Sequence, residues 1–163
     1  MNPYRELFKA MNDAEIKYLV VGGVAVNLHG YRRFTADVDI LLALDEPNLE
    51  KMTMVMHDMG YTERLPVALK DLANKATVEM FLQEKGMTAY TFLSARRERI
   101  DVDILAPDSL SFQEYDKQKV FLDIDEDIKV PVISVDDLIN MKRVANREKD
   151  ISDVRMLLEL KGL

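Results

Sequence analysis

The sequence predicts a mixed α/β or α+β domain whose sheet is covered by helices mainly on one side. Three observations carry this. Short apolar runs of strand length alternate with longer segments whose apolar residues fall at helical spacing. Their order is helix, strand, helix, strand, helix, helix, several strands and two helices. The chain has 163 residues, 48% apolar and 31% charged, an ordinary globular composition for one domain spanning 1–163. A domain of that length buries roughly 70% of its unfolded surface, enough for a core without staples.

The elements follow in order. Pro3 to Ala14 is a helix with Leu7, Phe8 and Met11 on one side. Tyr18 to Val21 is a buried strand, stopped by Gly22-Gly23. Val24 to Leu28 opens a helix that Gly30 closes, and Val38 to Leu44 is the second strand. Asn48 to Met59 is a helix ending at Gly60, with Met52, Met56 and Met59 on one face. That face reads as core in preference to an adaptable binding surface. Pro66 to Ala76 is expected to be helical, and Thr88 to Leu93 and Ile100 to Leu105 are strands around the charged turn SARRER. Val120 to Ile124 and Ile128 to Ile133 are further strands. Ser134, with Asp137 three residues on, starts a helix to Ala145, and Asp150 to Leu160 is the last helix.

Composition narrows the function. A net charge of −7 argues against a generally basic coat for nucleic acid or anionic membrane, though a local basic patch remains compatible with it. With no cysteine there is no disulfide, thiolate metal site or cysteine nucleophile. The amphipathic, charged N-terminus is unlike a signal peptide, and no apolar run approaches the roughly 20 residues of a membrane span. These features lead us to expect a cytoplasmic protein with no membrane partner.

Two aspartates interrupt the second strand. Side chains alternate along a strand, so Asp37 and Asp39 share a face while Val38 and Ile40 point into apolar packing. Two neighbouring carboxylates repel, and one takes up a proton unless a cation separates them. A divalent ion removes the conflict, and hard oxygen ligands favour Mg²⁺ or Mn²⁺. The arrangement recurs as Asp101 and Asp103 in RIDVDIL. If the two strands are neighbours, three or four carboxylates converge, as two-metal phosphoryl or nucleotidyl transfer requires. A single Asp-X-Asp more often marks a strand end or a solvated face; the second pair is what shifts the balance.

Gly22-Gly23 lies between a strand and a helix start, where bare backbone N–H groups favour a phosphate and a side chain would hold it away. A tight turn alone would also use glycine. Thr35 either bonds a phosphate oxygen or caps the strand turn. Lys142, Arg143, Arg147 and Lys149 form a basic cluster in an acidic chain. On the helix from Ser134, the core stripe is read as Leu138, Met141 and Val144 or Ala145, with Lys142 off it. Arg143 and Lys149 suit a solvated helix end. Arg32 and Arg33 read as surface charge, Asp153 as a structural residue within the last helix, and His29 as a turn or core histidine.

Gly-Gly, a helix, Thr-X-Asp-X-Asp and a later strand aspartate together resemble the nucleotidyltransferase superfamily typified by DNA polymerase β. The string GGVAVNLHGYRRFTADVDILL looks most like the small bacterial nucleotidyltransferases related to abortive-infection toxins, and VPVISVDDLINMKRVANREKDISDVRMLLEL resembles the same group. The resemblance covers Tyr18 to Leu44, Ile100 to Leu105 and Pro131 to Leu160. It implies the mixed sheet of that fold with a C-terminal helical pair. It also implies that Asp37 and Asp39 hold Mg²⁺ or Mn²⁺ and the NTP, and that a third carboxylate, Asp103 in preference to Asp101, orients the attacking hydroxyl. Gly22, Gly23 and Thr35 would hold phosphates, and Lys142, then Arg147, would meet their charge. The implied reaction moves an NMP from an NTP to an acceptor hydroxyl on a tRNA, a protein or a small molecule, with an antitoxin protein as a possible partner of a toxin. The alternatives are a non-catalytic nucleotide- or partner-binding module on the same fold and a metal-dependent phosphoesterase. The Gly-Gly turn and the lack of histidine ligands disfavour the phosphoesterase.

Overall fold

The computed structural model describes residues 4–85, 88–96 and 99–162. Arg97 and Glu98 of the SARRER turn lie outside them, as does the Pro3 start of the first helix. The first helix, α1 (Arg5–Asp13), buries Leu7, Phe8 and Met11, and Phe8 stacks on Tyr18 of β1 (Tyr18–Val21) at 5.9 Å between ring centroids. The chain passes straight from β1 into α2 (Gly22–Leu28), then through a loop into β2 (Val38–Leu42). Asp45 caps α3 (Glu46–Asp58) by accepting the Asn48 N–H at 3.0 Å. Met52 and Met56 are fully buried and Met59 packs on their edge, so the methionine face is core.

Beyond α3 come β3 (Tyr61–Glu63), a 3-10 turn (Leu69–Ala73), α4 (Lys75–Lys85), β4 (Ala89–Ser94) and β5 (Val102–Leu105). The short helices α5 (Ala106–Ser109) and α6 (Phe112–Lys117) lead to the hairpin β6 (Val120–Asp125) and β7 (Ile128–Val132). The pair α7 (Val135–Ala145) and α8 (Glu148–Leu160) completes the described fold. The helix expected over Pro66 to Ala76 is therefore a 3-10 turn followed by a later helix. Asn74 explains the division: its side chain accepts the Ala76 N–H at 2.9 Å and starts α4 afresh.

Among the described residues seven strands form one mixed sheet in the order β3-β4-β5-β2-β1-β7-β6. β2 runs parallel to β5 and antiparallel to β1, and β1 runs parallel to β7. The two strands that carry Asp39 and Asp103, each with the other aspartate of its pair just before its start, are therefore hydrogen-bonded neighbours near the middle of the sheet. Val38, Ile40, Val102 and Ile104 are wholly buried on one face, so the aspartates between them share the other.

The last helices differ from expectation in one respect. Ser134 caps α7 as read, its Oγ accepting the Asp137 N–H at 3.1 Å. The buried stripe, however, is Leu138, Ile139 and Lys142, while Val144 is 87% exposed. The stripe is rotated because α8 lies against α7 and covers the side bearing Lys142, whose charge is matched by carboxylates of α8.

Candidate active site

The parallel register sets Asp39 directly opposite Asp103, with Asp37 in the bend just before β2 and close enough for its charge to act on Asp39. Thr91 of β4 donates its hydroxyl to Asp103 Oδ1 at 2.6 Å, while Asp101 accepts the Ser94 N–H at 2.8 Å. Asp101 is thus tied to the end of β4, and Asp103 is the carboxylate that faces Asp39. Burial pushes the Asp39 carboxyl up to about 7, and the negative charges of Asp103 and then Asp37 push the same way against Lys149 and Lys142. Burial likewise raises Asp37, helped by Asp103 and Asp101 and opposed by Arg64 and Lys149. A cation would relieve this uncompensated charge.

The glycine turn is packed against the carboxylates. Val21, the last residue of β1, is paired with Asp39, so Gly22 emerges beside that side chain. Gly22 has φ +63°, and a Cβ there would lie 2.2 Å from Asp39 Oδ2. Only glycine fits both the backbone conformation and the space. A Cβ on Gly23 would meet Thr35 Oγ1 at 2.6 Å and Arg33 Nη2 at 3.2 Å. Thr35 donates to the Asp37 carbonyl at 3.2 Å, which is the strand-turn role considered for it. Gly22, Gly23, Thr35, Asp37, Asp39 and Asp103 therefore form one contiguous surface.

The basic residues form a network beside it. Lys142, 7% exposed at its side chain, contacts Asp153 at 2.8 Å and Asp150 at 3.4 Å. Arg147 donates Nε to Asp150 at 2.7 Å and stands at the start of α8, its side chain 61% exposed. Burial works against the Asp150 charge, but hydrogen bonds from Arg147 and the charges of Arg147 and Lys142 hold its carboxyl low. Asp153 also grips Arg33 through Nε and Nη2, both at 2.8 Å. Asp153 is structural, as read, but it joins three elements and is not confined to the last helix. Arg33, read as surface charge, is held in this network. Its partner lies 120 residues away, so no local pattern signals the pairing. His29 Nε2 donates to the Ile133 carbonyl at 2.8 Å, tying the end of α2 to the chain just after β7.

Asp37, Asp39 and Asp103 present hard oxygen donors of the kind Mg²⁺ takes, in a setting where their charge is unmatched. Among the described residues no three acidic or histidine side chains form a ready cage for an ion. Asp37, Asp39 and Asp103 therefore do not form a complete ion cage, and an ion there would need further ligands from phosphate or water.

Residues 7–163 match the sequence profile of the nucleotidyl transferase AbiEii toxin of type IV toxin–antitoxin systems. The chain belongs to this family. No curated protein sequence matches it. In fold, this AbiEii-family chain is similar to the lincosamide antibiotic adenylyltransferase LnuA in its lincomycin-bound form, with TM-score 0.61 at 17% identity over 96% of each chain. A nucleotidyltransferase-like antigenic protein from Paracoccidioides brasiliensis gives 0.60 at 16% identity, over 94% of this chain and 71% of that one. TM1012 from Thermotoga maritima gives 0.57 at 15% identity, over 95% and 89%. The fold is therefore that of the nucleotidyltransferases, as the glycine and aspartate motifs implied. No helix among the described residues of the AbiEii-family chain is long and apolar enough to cross a membrane.

Proposed function

We propose that the protein is a Mg²⁺- or Mn²⁺-dependent nucleotidyltransferase that moves an NMP from an NTP to an acceptor hydroxyl, acting in the cytoplasm as the toxin of a toxin–antitoxin pair. The observation that carries this reading is the contact of Gly22 with Asp39, which joins the glycine turn to paired carboxylates, Asp39 and Asp103, on adjacent strands. Asp37, Asp39 and Asp103 would hold the metal. When bound, the ion would draw charge from the phosphate oxygens and relieve the repulsion among the carboxylates.

The chain's own groups supply the rest. The glycine turn at Gly22 and Gly23, with Thr35 beside it, would receive the triphosphate, and the absence of a Cβ at each glycine is what lets Asp39 and Thr35 pack close against that turn. Lys142 and Arg147 add positive potential, Lys142 from inside the network, where its field already reaches Asp39. Asp103, held by Thr91, orients the acceptor hydroxyl, with Asp101 as the nearby alternative. The acceptor oxygen bonds to the α-phosphorus as its proton passes to Asp103 or to water, the bond from the α-phosphorus to the oxygen bridging to the β-phosphate breaks, and pyrophosphate leaves. A tRNA end, a protein side chain and a small hydroxylated molecule are the acceptor classes considered. The antitoxin would be a separate protein.

Calorimetry with each of the four NTPs, with and without Mg²⁺, tests the reading on wild type and on the Asp37→Ala/Asp39→Ala double variant. Metal-dependent NTP binding that the variant loses is the expected result. A wild type that binds no NTP under any metal condition overturns the enzyme and points to a binding module.

A further inference from the structure

Arg33 is occupied on one side only. Its Nε and one Nη2 hydrogen go to Asp153 at 2.8 Å each, and Nη1 gives one hydrogen to the Phe34 carbonyl at 2.7 Å. A guanidinium has five N–H groups, so one remains on each terminal nitrogen. Nη2 lies 3.2 Å from the point a Gly23 Cβ would occupy, beside the turn, and the Thr35 hydroxyl lines the same recess. The Arg33 side chain keeps 23% exposure. Lys142, by contrast, is enclosed at 7% and already faces two carboxylates.

We infer that Arg33 is a phosphate-binding residue of the transfer reaction, directed at the triphosphate over Gly23, and that Asp153 is the residue that positions it. This rests on the nucleotidyltransferase reading above. Asp153 grips the Nε–Nη2 edge of the guanidinium fork, which fixes the plane of Arg33 and aims the remaining donors at the glycine turn. Because Asp153 also holds Lys142, the aim of Arg33 is set by the packing of α7 on α8. Lysine at position 33 would carry the charge but not the fork.

The test is calorimetric binding of Mg²⁺ with each NTP, and of the corresponding nucleosides, to full-length variants whose melting temperatures are measured alongside. Arg33→Gln is expected to weaken NTP binding roughly 10- to 100-fold, the range for losing a charge-assisted hydrogen bond. Nucleoside binding should not change, and Arg33→Lys should recover part of the loss. Asp153→Asn should weaken NTP binding too, and the Arg33→Gln/Asp153→Asn pair should lose no more than Arg33→Gln alone, because both remove one unit. Losses that add, or an Asp153→Asn variant that melts lower yet binds NTP as wild type does, overturn the positioning role. Unchanged NTP affinity in Arg33→Gln, beside a wild type that binds NTP, overturns the phosphate role and leaves the transferase reading standing. A wild type that binds no NTP overturns both.

Discussion

Asp39→Asn is expected to stabilise the metal-free protein at pH 8. The Asp39 carboxyl is raised from 3.8 to about 7 in the folded state. The folded chain therefore holds this proton more tightly than the unfolded chain does. The associated stability is complete below the unfolded value and is lost as pH climbs through about 7. A shift of about 3 units corresponds to about 4 kcal/mol as an upper bound. For a domain of this length that is roughly 8–16 °C in melting temperature. The assay is thermal and urea unfolding of both proteins in EDTA between pH 5 and pH 8.5. Wild type should lose stability across that range, the Asp39→Asn variant should flatten the loss, and Mg²⁺ should restore wild type alone. A wild type whose metal-free stability is flat, or a variant less stable than wild type at pH 8, would refute the argument that unmatched charge is stored at this position.

Three further outcomes follow from contacts described above. Gly22→Ala forces a Cβ to 2.2 Å from the Asp39 carboxylate at φ +63°; it should cost about 1–3 kcal/mol of stability in urea melts and abolish metal-dependent NTP binding. Lys142→Met leaves Asp150 and Asp153 short of a buried partner. It should destabilise by about 3–5 kcal/mol, and a loss below about 1 kcal/mol would show that the two carboxylates are satisfied without it. Val144→Ser, on a side chain 87% exposed, should change stability by less than about 0.5 kcal/mol. A larger effect would restore Val144 to the core stripe.

The parts of the fold that were legible have local causes. Strands β1, β2 and β5 are runs of Val, Ile and Leu, and α7 opens on a serine cap, so propensity and burial agree there. The carboxylates were legible because charge at alternate positions of an apolar strand has no packing role. β3 is three residues long, and α5 and α6 are four and six, too short for any period to show. The rotated stripe of α7 was hidden for another reason. Whether Lys142 faces inward depends on Asp150 and Asp153 of the next helix, and helical spacing within α7 holds no record of them. Arg33 was misread on the same ground, since its partner is 120 residues distant.

That long separation also sets an order of assembly. The Asp-X-Asp strand and the glycine turn are adjacent in the chain and can meet early, whereas Arg33 and Asp153 close a loop of 120 residues. On the ribosome, a growing chain carries its paired carboxylates long before the final helix emerges to fix the arginine. A chain without α8 keeps the acidic strands but loses the carboxylate that holds Arg33 beside Gly23.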